Sequence, residues 1–540
     1  MHFWSFRALW KRRSVPLAVV VLTAVCVSAS AQQAKPALPR TRDGKPSLEG
    51  IWQAQSRAAY DLQAHAAGLG IPAGESVVEG RIIPYLPAAA AKRAQNFANR
   101  QSADPLGKCY MPGVPRIMYM EHPFQIFQTP DNIAIAFEWS LVFRLIHTDG
   151  KPPLHPGFDS WMGDSRGHWE GDTLVVTVTD QNDKTWFDLA GDFHSDALRV
   201  TERYTLLDAD NIRYEATIED GKVFARPWKI TVPLVRQKNV DRLLEYECQA
   251  EKEEVSGDFE RDPRTWYPAP GTKPADNPDA TATLPPSGPL PALKPAAKVT
   301  RTADGKPDFS GYYQPNGGGA NYGLEHHEKV NLIPPGRGVI IEPADGLLPY
   351  RPWAAKERAD RVNPQRGYDD PTAHCFPGGI PRSFYTPSPY QIVQTPNYLV
   401  VLFERMSWRI IPIVAANDKT RTHLSDSIRL WQGDAIGHWE GDTLVVDASN
   451  FNGRAWHNEV GDISSYTLHV VERFAPGEAG NVVYRATITD PIVYTRPFTI
   501  EIPLAKGAEE LLEVACHEDN GDLQHLKDIR DEYRAAHPAK

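Results

Sequence analysis

The sequence predicts an all-β protein: two tandem antiparallel β-barrels with short helices and a Pro-rich linker, two β-sandwiches being the alternative. Three observations carry this. A ten-residue stretch, Gly167-His168-Trp169-Glu170-Gly171-Asp172-Thr173-Leu174-Val175-Val176, recurs unchanged from Gly437 to Val446, so the chain holds two copies of one module. Runs of alternating apolar and polar residues, bounded by Gly, Asp and Asn turns, give about eight strands in each copy. Strands in that number favour closure, because closing a sheet removes its edges.

The chain of 540 residues is long enough for two to four domains. Its net charge of -10 comes without a basic stripe, so nucleic acid is not an expected partner. Arg7, Lys11, Arg12 and Arg13 precede an apolar run from Val15 to Val27, and Ala29-Ser30-Ala31 reads as a cleavage site. The expected organisation is a signal peptide over 1–31, repeat 1 over 32–267, a linker over 268–299, and repeat 2 with a charged tail over 300–540. No later run reaches the roughly 18 apolar residues of a membrane helix, so stable insertion is not expected and the mature protein belongs in the periplasm or outside the cell. Four of the five cysteines lie beyond the leader: Cys109, Cys248, Cys375 and Cys516. Two fall in each copy at matching positions. In an exported chain this favours disulfides. Of three possible connectivities, pairing within each copy (Cys109–Cys248 and Cys375–Cys516) is the expected one.

In chain order, Asp43-Gly44-Lys45-Pro46 and Asp304-Gly305-Lys306-Pro307 open the copies as turns. Gly50-Ile51-Trp52-Gln53 and Gly311-Tyr312-Tyr313-Gln314 follow as first strands. Ala- and Arg-rich composition predicts helices near 87–100 and 352–362. A Pro-bounded loop then matches between copies, with Arg116 and Arg382 in identical context. Strands are predicted after Gln128 and Gln394: 133–139 with 141–147, and 399–404 with 408–414. In the repeated stretch Gly171 supplies an unusual φ between two strands and Asp172 bonds turn N–H groups. Strands over 198–206, 212–220, 228–234 and 243–248 complete repeat 1. The Pro-rich linker reads as extended, and 519–540 as a surface helix.

Gly50-x-Trp52 on a first strand, ahead of an antiparallel series, resembles the lipocalin and calycin barrels; copy two departs with Tyr313 at the Trp position. The chain also resembles a group of exported bacterial tandem-repeat proteins. They share Asp104-Pro105, Cys109, Pro115-Arg116, Gln128, the stretch Gly167 to Val176, Trp186, His194-Ser195 and Glu202-Arg203. That resemblance implies the module boundaries and export, and no reaction. Copy two departs at His194-Ser195, where it has Ser464-Ser465.

Strand parity sorts the polar residues. Glu202 falls on the apolar face of Val200, Tyr204 and Leu206; Glu472 does the same in copy two. A buried carboxylate must be paired, hydrogen-bonded or neutral. Arg144 and Arg409 stand on apolar faces of their own strands, so Glu202–Arg144 and Glu472–Arg409 are the expected pairs. They read either as structural ion pairs or as the polar floor of a cavity. Asp220 lies next on the inward face. A second cluster, Trp186, Asp188 and His194 in copy one and Trp456 and His457 in copy two, lies on loops near strand ends, where a binding rim is expected. No G-x-S-x-G elbow makes Ser195 a nucleophile. Glu325-His326-His327-Glu328 shows no three convergent ligands, so neither metal nor cofactor is expected.

The functional expectation is a cofactor-independent enzyme, a lyase or isomerase. It would act on a small apolar or aromatic molecule in a barrel cavity or an inter-barrel cleft. The expected catalytic residues are Glu202, His194, Arg144 and Asp188. Trp186, Arg116, Asp220, Trp456, His457, Arg409 and Glu472 are the expected binding residues. The alternatives are a carrier for a hydrophobic small molecule and a carbohydrate-binding protein using exposed Trp186 and Trp456.

Overall fold

The structure is a computed structural model. It describes residues 37–68, 71–153, 157–256, 279, 281–294, 296–329, 333–361, 370–405, 407–507, 510–518 and 520–536. The expected leader, 1–31, and most of the linker's first half lie outside these residues. Contacts divide the chain into Met1–Ala37 and Leu38–Lys540, and both barrels belong to the second unit.

Copy one forms a closed barrel of nine strands in sequence order: β1 (Gly50–Ala54), β2 (Phe124–Gln128), β3 (Asn132–Phe137), β4 (Phe143–His147), β5 (Asp164–Glu170), β6 (Thr173–Thr179), β7 (Arg199–Asp208), β8 (Asn211–Glu219) and β9 (Trp228–Arg236). β1 pairs with both β2 and β9 and so closes the ring. Copy two adds β10 (Gly311–Pro315), β11 (His326–His327), β12 (Gly336–Arg337), β13 (Ile340–Glu342), β14 (Tyr390–Gln394), β15 (Tyr398–Phe403), β16 (Ser407–Pro412), β17 (Asp434–Glu440), β18 (Thr443–Ser449), β19 (His469–Pro476), β20 (Val482–Thr489) and β21 (Phe498–Lys506). Its main sheet runs β16-β15-β14-β10-β21-β20-β19-β18-β17, and one parallel bridge, Ile413 to Gly437, joins its ends. Each ring therefore has nine strands rather than about eight, and one junction is parallel: β4 meets β5 through His147 and Arg166.

Among the described residues the α-helices are α1 (Pro87–Ala103), α2 (Cys248–Ser256), α3 (Pro352–Arg361) and α4 (Asp522–Ala536). α1 and α3 fall where composition placed them, and α4 is the expected tail helix. Two expectations are corrected. Residues 124–128, ahead of the strands expected only after Gln128, form β2. Residues 243–248, read as a closing strand, are irregular, with one bridge from Tyr246 to Trp139 before α2 begins. The ring has no place for that segment, because β1 already fills the edge of β9.

Burial along β7 alternates, with Val200, Glu202, Tyr204 and Leu206 inside, as the pattern requires. β2 and β3 behave differently: every residue of β2 is buried, and all but the first of β3. Their run Ile133-Ala134-Ile135-Ala136-Phe137 is apolar at every position because both faces are covered. The outer face, with Phe127, Ala134, Ala136 and Phe143, packs against Val393, Val400, Leu402 and Trp408 of copy two. The Trp408 indole donates to the Phe137 carbonyl across this junction at 2.8 Å.

The segments that leave each barrel cross to the other one. After β9, Arg242 donates from one guanidinium nitrogen to both oxygens of Asp434, at 2.8 Å each, and Glu245 accepts the backbone N–H groups of Trp431 and Gln432. After β21, Glu510 pairs with Arg166 at 3.0 and 3.2 Å, and Glu513 accepts the N–H groups of Trp161 and Met162 at 2.6 and 2.9 Å. Trp161-Met162 and Trp431-Gln432 are twin positions, so the exchange is reciprocal. The disulfides Cys109–Cys248 and Cys375–Cys516 fasten the ends of these straps. The described part of the linker forms neither helix nor strand. It touches barrel two, where Gly288 donates to Glu342 and Arg485 donates to the Pro291 carbonyl.

In the repeated turn, Gly171 and Gly441 adopt φ of 59° and 60°, a region that disfavours side chains. Asp172 does not bond the turn. It takes a bidentate pair from Arg40 at 2.9 and 3.0 Å, as Asp442 does from Arg301. The repeated stretch thus docks the segment that leads into each first strand.

Candidate functional site

The interior of each barrel is packed with side chains. A cleft of about 980 Å³ lies instead between the barrels. Tyr110, Trp139 and Trp161 line it from copy one, and Phe376 and Phe403 from copy two; Cys109, Cys375 and Cys516 are also in its wall. Tyr110 and Trp161 meet edge to face, 5.1 Å between ring centres, and the Trp161 indole donates to Glu518 at 2.9 Å. At the rim of the wall Ser140 and Leu141 both adopt left-handed φ, 47° and 51°, unusual for residues with side chains.

Glu247 and His517 share this wall with Arg405 and Glu518. Burial pushes the Glu247 carboxyl up to about 8, helped by the neighbouring Glu245 and Glu253 carboxylates and opposed by the Gln249 N–H. Burial pushes the His517 imidazole down to about 4. The imidazole Nε2 stands 3.8 Å from the Glu247 oxygen, longer than a hydrogen bond. At neutral pH the pair is a carboxylic acid beside a neutral base. Glu247 precedes Cys248 and His517 follows Cys516, so each flanks the second cysteine of its copy. Their twins are Ala515 and Gln249. The copies diverge here while the cysteines persist, and that divergence is the sequence signal that would have found them.

None of the expected catalytic residues lines this cleft. Glu202 is fully buried. It accepts from both terminal nitrogens of Arg144, with Tyr204 and Tyr214 hydroxyls at 3.0 and 2.8 Å, while Arg144 Nε donates to Ser165 at 3.0 Å. Glu472 pairs likewise with Arg409 and accepts from Tyr484 at 2.8 Å. Both lie in barrel cores. Arg116 makes a buried bidentate pair with Asp104, 2.8 Å at each arm, and Arg382 repeats it with Asp370, so these arginines brace the Pro-bounded loops. Asp220 accepts the Ser195 N–H and hydroxyl at 2.7 and 3.0 Å, and Asp490 does the same for Ser465. The Ser195 hydroxyl is thus directed to Asp220, not to His194.

His194 is buried, its pKa lowered by that burial. Its ring nitrogens meet the Thr185 hydroxyl at 2.6 Å and the Ser195 carbonyl at 3.0 Å. Its twin Ser464 donates to the Ala455 carbonyl, so both residues fasten the same loop. Trp186 is half-buried. Trp456 is not exposed as expected: at 1 % it is core, which removes it as a stacking platform for sugars. It lines a small pocket of about 220 Å³ with His457, whose imidazole burial holds at about 4. Asp188 is wholly buried beside Asp61 and Asp192.

Export is consistent with the two disulfides, and no helix among the described residues is long and apolar enough to cross a membrane. No family model matches the chain, and neither a curated protein nor a solved structure matches it.

The straps carry three raised carboxyls: Glu245 and Glu247 at about 8 and Glu513 at about 7, all through burial. Unfolded glutamate titrates near ~4.3. The folded protein therefore binds more protons than the unfolded chain from roughly that pH up to about 8, and stability falls as pH rises through this window. His423, raised to about 9 by Asp434 and Asp447, adds a loss above its unfolded value of ~6.5. Below that value the lowered His457 and His517 act oppositely, because the unfolded chain then binds the extra protons. Thermal melts from pH 6.5 to 8.5 are expected to show a falling midpoint, and Glu513→Gln is expected to flatten the fall. A midpoint rising across that range would contradict it.

Proposed function

We propose that this chain is an exported, cofactor-independent enzyme that moves a proton on a small apolar or aromatic molecule held between its barrels. The supporting observation is the pair Glu247 and His517, an acid near 8 and a base near 4 set 3.8 Å apart in an apolar wall. General acid–base catalysis needs one group that holds its proton at working pH and one that does not. Desolvation supplies both here. Glu247 gives a proton to a developing oxyanion or leaving group, and His517 takes one from carbon or from an attacking water. Isomerisation, elimination and hydration all use this inventory. The aromatic walls supply apolar area for a ligand with a ring or a short hydrocarbon skeleton.

The second reading is a carrier that holds the same molecule unchanged. The aromatic walls and the reciprocal straps suit either role, and the titratable pair favours chemistry.

The test starts from the molecule that co-purifies with the protein from its own host, identified by native mass spectrometry. Incubated with the protein in D2O, it should gain solvent deuterium. The rate should follow a bell with limbs near 4 and 8, since His517 must be neutral and Glu247 protonated. Glu247→Gln or His517→Asn should each slow exchange about 10²- to 10⁴-fold while the molecule still binds. A molecule retained without label at any pH would make the protein a carrier. The mature chain should begin at Gln32 by N-terminal sequencing.

A further inference from the structure

Copy one holds a cluster that copy two lacks. Asp61, from the loop after β1, and Asp188 and Asp192, from the loop after β6, each offer an oxygen, and the three oxygens lie within 4.8 Å of one another. Asp188 and Asp192 are wholly buried, and the Asp61 side chain is 16 % exposed and leads to the surface. The Asp188 oxygens accept the N–H groups of Leu62 and Asp192 at 2.9 and 3.1 Å. Asp192 Oδ1 accepts from the Tyr85 hydroxyl and Arg93 Nε at 2.8 and 3.0 Å. Asp192 Oδ2 is buried and receives no N–H or neutral hydroxyl, while the Asp188 carboxyl lies within hydrogen-bond reach of the Asp192 side chain.

The second copy shows what that oxygen's position normally receives. Tyr350, Arg358 and Asp462 repeat Tyr85, Arg93 and Asp192, with the Tyr350 hydroxyl and Arg358 Nε on Asp462 Oδ1. Asn458 stands at the place of Asp188, and its amide nitrogen donates to Asp462 Oδ2. The bonds from Leu189 N–H to the Ala59 carbonyl and from Glu459 N–H to the Asn321 carbonyl align the first loops and set Asp61 opposite Gly323. Copy two therefore has one carboxylate bonded to its guanidinium, with Glu325 farther off acting on the same Arg358. Copy one sets three carboxyls against one guanidinium, an excess of two negative charges once all three are ionised; without a cation, burial and the neighbouring Asp192 push the Asp188 carboxyl well above the ordinary carboxylate range.

The geometry points to a binding site for one hard divalent cation of the Ca²⁺ class in copy one, held by Asp61, Asp188 and Asp192. Two positive charges would cancel the excess. Three oxygens within 4.8 Å of one another can share a single ion at Ca²⁺–oxygen distances of about 2.3–2.6 Å. Asp192 Oδ2, which receives no N–H, is the ligand whose counterpart in copy two takes an amide. The partly exposed Asp61 and Arg93 give the entry path and room for water ligands. The ion would tie the first loop to the loop after β6 at one end of barrel one.

The mature protein, stripped with EDTA and dialysed, is titrated with CaCl2 at constant ionic strength and followed by calorimetry and thermal melting. The expected result is one saturable Ca²⁺ per chain and a midpoint raised by several degrees. Asp188→Asn and Asp61→Asn should fold as the metal-free protein does, since copy two carries no carboxylate at either position. Each should weaken Ca²⁺ at least about tenfold, because affinity follows the number of charged ligands. No saturable response of the unsubstituted protein would overturn the site and leave a proton shared between Asp188 and Asp192. A response that survives both substitutions would assign the ion to another part of the surface and overturn it equally.

Discussion

Replacing Cys109 and Cys248 together by alanine is expected to lower stability by about 3–5 kcal/mol and to abolish ligand retention in the cleft. The bond closes a loop with a sequence separation of 139 residues, and in the chain-entropy account a loop of that order stabilises by about 4–5 kcal/mol. Its local consequence is larger than for a bridge within one layer. Cys248 begins α2, directly after Glu245 and Glu247, so the bond holds the strap that carries one cleft wall and the contacts to Trp431 and Gln432. Cys375–Cys516 does the same for the reciprocal strap, with a separation of 141. Each single removal should release one wall, and removal of both should separate the barrels' unfolding into two transitions in calorimetry. A double variant that melts in one transition and still retains its ligand would show that the apolar junction of β2–β4 with β14–β16 suffices alone.

The second large effect concerns the buried ion pairs. Glu202→Ala should destabilise the protein by about 3–5 kcal/mol, because it strands the Arg144 charge in a closed core. Paired apolar replacements discriminate between the barrels. Arg144→Met with Glu202→Leu also deprives Ser165, Tyr204 and Tyr214 of partners. Arg409→Met with Glu472→Leu deprives only Tyr484, since Phe474 and Ala435 replace Tyr204 and Ser165, and Arg409 Nε already lacks a partner. The barrel-two double variant should be near neutral or more stable, and the barrel-one variant less stable. Equal losses in urea denaturation would mean that the surrounding hydroxyls contribute little. Neither variant should change deuterium exchange in the cleft.

These networks were legible in the sequence because parity along a strand is fixed by backbone geometry. Glu202 at the centre of Val200, Tyr204 and Leu206 has to point inward, and a buried carboxylate has to find a cation. The run of β3 was legible as a strand, but alternation alone did not say that both of its faces are covered, or by what. Residues 243–248 misled because a short apolar segment before a cysteine resembles a closing strand, and only the pairing of β1 with β9 excludes it. Trp456 misled because a loop beside strand ends was taken as exposed, while its ring fills the end of the barrel.

By itself the sequence determined two copies of one module, the inward faces of their strands, the glycine turn of the repeated stretch and the matched cysteines. All of these follow from local geometry or from comparing one copy with the other. The tertiary structure alone decided that the cavity lies between the barrels, that the straps cross, and that Glu247 of one copy meets His517 of the other. The same holds for Asp61, which joins Asp188 and Asp192 only when the first loop folds over the barrel end. Such meetings depend on how two closed surfaces pack, and the energies of that packing are spread over many apolar contacts that no short stretch of sequence records.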